Sequence, residues 1–356
     1  PKHPLAGEAR FMRAENLFLL GKLDQAAEGY GEFLTAHAEH PNRVAALFRQ
    51  AQIHHAAGRW AECLTSAAPL LANKPAGPLF AQLPFMIGDS LFRQEKWSAA
   101  IDPLKEFLAP RVTTDNTEGR VVKADPNVDT ALIQLAVSYD RTDQKEKALD
   151  QLLTVVNHYP GTTAQLPLAL AEQGRLAYER GNLKLARTAL EKFVLSDTEE
   201  NEIFAKHGRA QRPRVQYYLG WIEATEKQHS AAASRFSEVV NFDGDHPLAP
   251  DAALQQGIAL FNGGQFGEAA THFEGVLKRY PEHAKLARVV FHSGLALARQ
   301  KEWPKASAQF QRITKEFPKS DFADQALYEQ AWCERALKRM EEATKLYGQL
   351  LADHPQ

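Results

Sequence analysis

From Val290 to Pro318 the apolar positions fall into two helical stripes separated by a polar turn. Leu286, Val290 and Leu297 line one face around Gly294, and Arg299 to Glu302 form the turn. Trp303, Ala306, Phe310, Ile313 and Phe317 then recur at steps of three, four, three and four, the apolar stripe of a second amphipathic helix. Pro304 suits a first helical turn, where the backbone N–H has no intrahelical partner to lose, and Pro318 ends the unit. Such a hairpin has an apolar face and nothing of its own to bury it, so it predicts neighbours of the same build.

The neighbours are present. Steps of 37 residues carry Trp303, Ala306, Phe310 and Ile313 back to Phe266, Ala269, Phe273 and Val276, then to His229, Ala232, Phe236 and Val239, and forward to Met340, Ala343, Tyr347 and Leu350. The register returns at Leu183/Ala186/Leu190/Phe193, Lys145/Ala148/Leu152/Val155, Trp97/Ala100/Leu104/Phe107, Trp60/Cys63/Ala67/Leu70 and Leu23/Ala26/Tyr30/Phe33, which makes nine copies. Twelve positions before the small residue of each second helix stands another: Ala14, Ala51, Gly88, Ala136, Gly174, Gly220, Gly257, Gly294 and Ala331. Small residues on both helices let the two axes approach, and the larger residue four positions after the second one fills the gap to the next hairpin.

A small residue, a twelve-residue step to Ala, an aromatic at plus four, an apolar residue at plus seven and Pro at plus twelve resemble the tetratricopeptide repeat. In the opening stretch these are Gly294, Ala306, Phe310, Ile313 and Pro318, and the closing Pro recurs at Pro75, Pro160, Pro281 and Pro355. The resemblance runs from about Gly7 to Pro355. It implies an all-α fold, a right-handed α-solenoid superhelix of tandem helix-turn-helix repeats. The period of 37 exceeds the family's usual ~34, which predicts a first helix about one turn longer. The family's large aromatic near the start of the first helix is mostly replaced, by Gln216 and Ala253 for example. Repeats closing in Tyr159-Pro160, Tyr280-Pro281 and Phe317-Pro318 also resemble those of bacterial envelope proteins of this family, of the outer-membrane assembly lipoprotein and Tol–Pal-associated kind. That second resemblance implies an envelope or periplasmic setting.

Two breaks in register divide the chain. Residues 1–7 read as a disordered lead-in, and 8–110 hold repeats one to three. The step from Trp97 to Lys145 is eleven residues too long, and the excess at 111–126, polar with Asn, Gly and Pro, predicts an inserted loop. Residues 127–196 hold repeats four and five. A nine-residue excess falls at 197–213, which either extends a helix past its usual stop or forms a short additional one; 214–356 hold repeats six to nine.

Composition narrows the function classes. With 356 residues, a net charge of −2 and a pI near 6.8, nothing in the overall balance points to nucleic acid. No run approaches the ~18 apolar residues of a membrane span. Cys63 and Cys333 lie seven repeats apart and are not expected to pair. Pro1 is not a natural initiator, so the chain reads as processed or trimmed. Its last repeat lacks a polar capping helix and reads as continuing past Gln356. Gly263-Gly264-Gln265-Phe266-Gly267 is an inter-helix turn and not a phosphate loop, and Asp243-Gly244-Asp245-His246 lacks the alternating ligands of a calcium site. No zinc signature and no arrangement for nucleophilic catalysis is visible. The expectation is no enzyme, no cofactor and no metal.

What remains is the surface the repeats build. By the family resemblance, first helices line a concave groove that holds an extended peptide or a partner helix. Positions three before and one, four and five after the small residue are expected on that face. They place there the aromatics Phe48, Phe85, Phe92, Tyr178, Tyr217, Trp221, Phe261, Phe291 and Trp332 and the cations Arg93, Arg141, Arg299 and Arg335. Arg175 joins them, with Arg214 and Arg288 near the lip, while Asp89, Asp140 and Glu179 neutralise several. Packing between first helices is the competing role for the row three before the small residue. The expected function is a non-catalytic interaction scaffold, with a protein or peptide ligand of acidic or carboxylate character. The alternatives are the repeat portion of an enzyme whose catalytic domain lies outside this chain, or a structural protein self-associating through uncapped ends.

Overall fold

The computed structural model describes residues 3–73, 75–115, 119–123, 125–159 and 163–353. The closing prolines Pro160 and Pro355, part of the first insertion and the first two residues of the lead-in lie outside that range. The described chain is an all-α solenoid of hairpins. In order these pair α1 (Ala6–Leu19) with α2 (Leu23–Ala36), α3 (Arg43–Ala56) with α4 (Trp60–Asn73), and α5 (Leu83–Arg93) with α6 (Trp97–Leu108). After a two-stranded hairpin, β1 (Val112–Asp115) and β2 (Gly119–Val122), come α7 (Val128–Arg141) with α8 (Lys145–His158) and α9 (Leu166–Glu179) with α10 (Leu183–Ser196). A short helix α11 (Glu202–His207) precedes α12 (Arg212–Thr225) with α13 (His229–Phe242) and α14 (Ala249–Asn262) with α15 (Phe266–Arg279). The last hairpins are α16 (Leu286–Arg299) with α17 (Trp303–Glu316) and α18 (Ala323–Ala336) with α19 (Met340–Asp353). Contacts group the chain into two compact units, Pro1–Leu176 and Ala177–Gln356.

One hairpin shows how the rest are held. In α16–α17, Val290, Phe291, Ala306, Phe310 and Ile313 are buried in a cluster that also takes in Ala326 and Cys333 of the following first helix. Each fully buried side chain of this size contributes roughly 1.5–3 kcal/mol. Gly294 makes the close approach possible: a Cβ there would stand 2.7 Å from the Phe310 ring. The turn between the helices needs one left-handed residue seven positions after the small one. Gly21, Gly58, Gly181 and Gly264 supply it in four hairpins, and Glu95, Asp143, Lys227, Lys301 and Lys338 adopt it in the other five, with φ between 58° and 63° for the lysines and Glu95. Because this residue lies in the helix-ending turn, its side chain stands at the rim of the hairpin.

Three expectations are corrected. The period of 37 does not come from a longer first helix. α14, α15 and α16 each have 14 residues, and a six-residue connection, 280–285, separates one hairpin from the next. The lead-in is shorter than residues 1–7, because α1 starts at Ala6 and Gly7 is buried in its first turn. The first insertion is a β-hairpin rather than a loop, with Val112 opposite Val122 and Thr113 opposite Val121. It is pinned at its base by buried Arg111, which donates to Asp125 Oδ2 at 2.9 Å, the Phe107 carbonyl at 2.8 Å and the Ala81 carbonyl at 3.2 Å. In the second insertion Asn201 caps α11, and Phe204 is buried edge-on against Phe193.

Candidate functional site

First-helix positions sort by what covers them. The small residue faces its own second helix; positions five before and two after it, such as Ala326 and Cys333, are buried against the preceding hairpin. The arc left open is centred on the positions one and five after the small residue and six before it. At about 100° per residue, the position three before the small residue is only about 60° round from it and turns toward the second helix. That corrects three of the expected binding residues. Phe48 is fully buried with its ring edge-on to Phe80, Phe85 packs on Phe107, and Phe291 packs on Phe310 and Phe322. Tyr217, in the same row, is half-buried and donates its hydroxyl to Asp251 at 2.5 Å.

In the unit up to Leu176 the open arc is mostly polar and interlocked, with Leu19 and Val137 as apolar exceptions. Glu15 accepts from the Tyr30 hydroxyl at 2.5 Å and from Arg49 at 3.1 Å, and Arg49 also reaches Gln52 and lies over the Phe18 ring. Asp89, 4% exposed, takes His55 at 2.7 Å, Arg93 at 3.1 Å and Gln134 at 2.5 Å, which ties α3, α5 and α7 together. Burial alone would raise its carboxyl; the bonds from His55, Gln134 and Arg93 outweigh that and hold it below the usual carboxylate range. Arg175 joins Glu172 at 2.7 Å to Asp140 at 2.5 Å. The two expected cations here lie over indoles of the preceding second helix, Arg93 over Trp60 and Arg141 over Trp97, and Phe92 packs edge-on against Trp97. A depression of about 460 Å³ opens between Phe18, Gln52, His55, Gln82, Phe85 and Asn127.

The unit from Ala177 is different. The position after the small residue reads Trp221, Ile258, Leu295 and Trp332 on α12, α14, α16 and α18, an apolar row at a constant step of 37. The first three are half-buried and Trp332 is 44% exposed. Trp221 leans edge-on against Phe236 and Phe261 edge-on against Phe266 and His292, and Tyr178 packs at a tilt against Tyr218. Burial and the nearby Arg288 push the His292 imidazole down to about 4, so it is neutral and packs as a ring. Arg299 is exposed, and Arg335 lies over the indole of Trp332. Lys227, Lys301 and Lys338 stand at the turn rim beside this row. Sequence reasoning missed them as a set. The signal was available, since they share the register of Gly21, Gly58, Gly181 and Gly264.

Among the described residues no group of three or more His, Cys, Asp or Glu is placed to hold a metal. Cys63 and Cys333 are free and buried, and burial, with Glu329 and Glu334 nearby, pushes the Cys333 thiol up to about 12. Asp243 to His246 fold as a turn in which Asp243 accepts from its own backbone at Asp245. No described helix is long and apolar enough to cross a membrane.

Sequence models of the tetratricopeptide repeat match residues 11–78, 130–162, 254–321 and 325–356. No curated protein matches the chain in sequence. The C-terminal part of a TPR repeat-containing protein from Cytophaga hutchinsonii superimposes with a TM-score of 0.55 at 18% identity, over 79% of this chain and 99% of that one. PilW, described as a widely conserved type IV pilus biogenesis factor, gives 0.46 at 16% identity, over 65% of this chain and 96% of its own. YrrB, described as a TPR protein with an unusual peptide-binding site, gives 0.46 at 19% identity, over 55% and 90%. At such identities the likeness is one of fold.

Proposed function

The chain belongs to the tetratricopeptide repeat family, and we propose that it is a non-catalytic interaction scaffold that holds a peptide or partner protein on the open arc of its first helices. One observation carries the proposal. Trp221, Ile258, Leu295 and Trp332 repeat at a constant register on four successive first helices, the first three half-buried and Trp332 44% exposed, so each helix leaves part of an apolar side chain open to solvent. Exposed apolar surface of this kind, centred on tryptophan, is where binding energy concentrates in protein interfaces. Tyr217 packs edge-on against Trp221 and Arg335 lies over Trp332, while Phe261 and Arg299 stand on α14 and α16 and Tyr178 on α9. Arg93 and Arg141 belong to the same arc in the other unit, over Trp60 and Trp97, and Phe92 turns against Trp97 of its own hairpin. The Tyr-Pro and Phe-Pro closures of the repeats favour a bacterial envelope as the setting.

The test is a comparative capture from fractionated extract of the source organism. Wild type is run beside Leu295→Glu with Trp332→Glu, after circular dichroism has established that both are helical. A protein retained by wild type and lost from the variant is the expected result. The same protein on both baits would place binding elsewhere.

A further inference from the structure

We propose that the open arc of α12, α14, α16 and α18 takes an extended acidic amphipathic segment. Its apolar side chains lie on Trp221, Ile258, Leu295 and Trp332, and its carboxylates lie along the rim of Lys227, Arg299, Lys301, Arg335 and Lys338. The proposal rests on the scaffold reading and adds the chemistry of the partner and the unit that binds it.

Charge carries it. Among the described residues none of those five cations forms an ion pair, whereas the acidic residues that adjoin Lys227, Lys301 and Arg335 in sequence are engaged elsewhere. Glu226 is held by Arg187, Glu302 by Lys305, and Glu334 by Arg339 and the Ser307 hydroxyl. Glu329 is half-buried, and burial raises its carboxyl against the pull of Arg299. The unit up to Leu176 makes the contrast. Its left-handed turn slots hold Gly21, Gly58, Glu95 and Asp143, and its arginines Arg49, Arg93 and Arg175 are committed to Glu15, Asp89 and Asp140. An acidic segment is therefore attracted to one unit and repelled at the turn rim of the other.

Spacing indicates an extended segment. Packed helices stand roughly 8–10 Å apart, and a chain in polyproline II conformation has about three residues per turn and advances ~3.1 Å per residue, so every third side chain falls on one face about one helix spacing further on. An apolar residue at every third position, with acidic residues between, keeps step with the row.

The probes are two labelled synthetic peptides, one repeating Leu-Glu-Glu and one repeating Leu-Lys-Lys, titrated against the whole chain by fluorescence anisotropy. The first is expected to bind, more weakly as salt rises, and the second to bind at least ~tenfold more weakly. The variant Lys227→Glu with Lys301→Glu and Lys338→Glu leaves the apolar row untouched. It is expected to fold, because Glu95 already occupies the equivalent left-handed turn. It should lose ~tenfold or more in affinity for the acidic peptide and gain affinity for the basic one. Equal binding of the two peptides, no binding of either, or an acidic peptide indifferent to the three reversals overturns the proposal. The capture experiment separates this failure from that of the scaffold itself. A partner lost with Leu295→Glu and Trp332→Glu but kept by the lysine reversals leaves the scaffold standing and removes the acidic ligand.

Discussion

Asp89 shows what a single side chain does in this fold. It occupies the position after the small residue, where α14 carries Ile258, yet it is 4% exposed because His55, Arg93 and Gln134 close over it. Its carboxyl titrates below the ordinary range when folded, so its contribution is present above the unfolded value and lost as pH falls through the folded one. Asp89→Asn is therefore expected to cost about 3 kcal/mol at about pH 7, and the gap to wild type should be smaller at about pH 3. Urea unfolding at the two pH values measures it; a gap that stays constant would mean the charge is not what stabilises the contact. None of this was legible in the sequence beyond the presence of Asp89 among cations. Which arginine it would take, and that Gln134 would reach it from 45 residues away, depends on the angle between successive first helices. The lysine rim was closer to legible. The turn register is constant, and reading down it gives Gly, Gly, Glu, Asp, Gly, Lys, Gly, Lys, Lys.

At the scale of elements, helix identity, hairpin order and core positions followed from periodicity, since Ala306, Phe310 and Ile313 and their counterparts are the buried stripe of every second helix but the last, where Tyr347 and Leu350 are half-buried. Two features escaped. Residues three before the small one were counted on the open face, although Phe48, Phe85 and Phe291 turn into the hairpin. The first insertion looked like a loop because its strands are short; what orders it is Arg111, whose partners Asp125, Phe107 and Ala81 lie outside the strands. Close helix approach is testable through two glycines that differ only in surroundings. A Cβ at Gly257 would stand 2.4 Å from the Phe273 ring, whereas Gly275 of α15 has no neighbouring atom within 4 Å. Gly257→Ala should destabilise by about 1–3 kcal/mol through overpacking. Gly275→Ala should stabilise by about 1 kcal/mol through helix propensity. Thermal unfolding of the pair reads both signs, and a shift in the same direction would show that Phe273 has room to move.

Across the molecule the repeats are alike in their cores and unlike on their open arcs. The first unit uses that arc for its own cohesion, through Glu15–Arg49, Asp89–Arg93 and Asp140–Arg175. The second carries a partly exposed apolar row and a rim of cations that form no ion pair among the described residues. The same 37-residue register that predicts the fold therefore separates a face that is satisfied from a face that is not, and this separation is the central claim. Its most direct measurement places a photo-reactive residue at Leu295 of α16 in one variant and at the equivalent Val137 of α7 in another, each irradiated in extract of the source organism. Both positions are half-buried and directly follow the small residue. The account predicts a cross-linked partner from position 295 and none from position 137; a partner cross-linked from 137 and absent from 295 would contradict it.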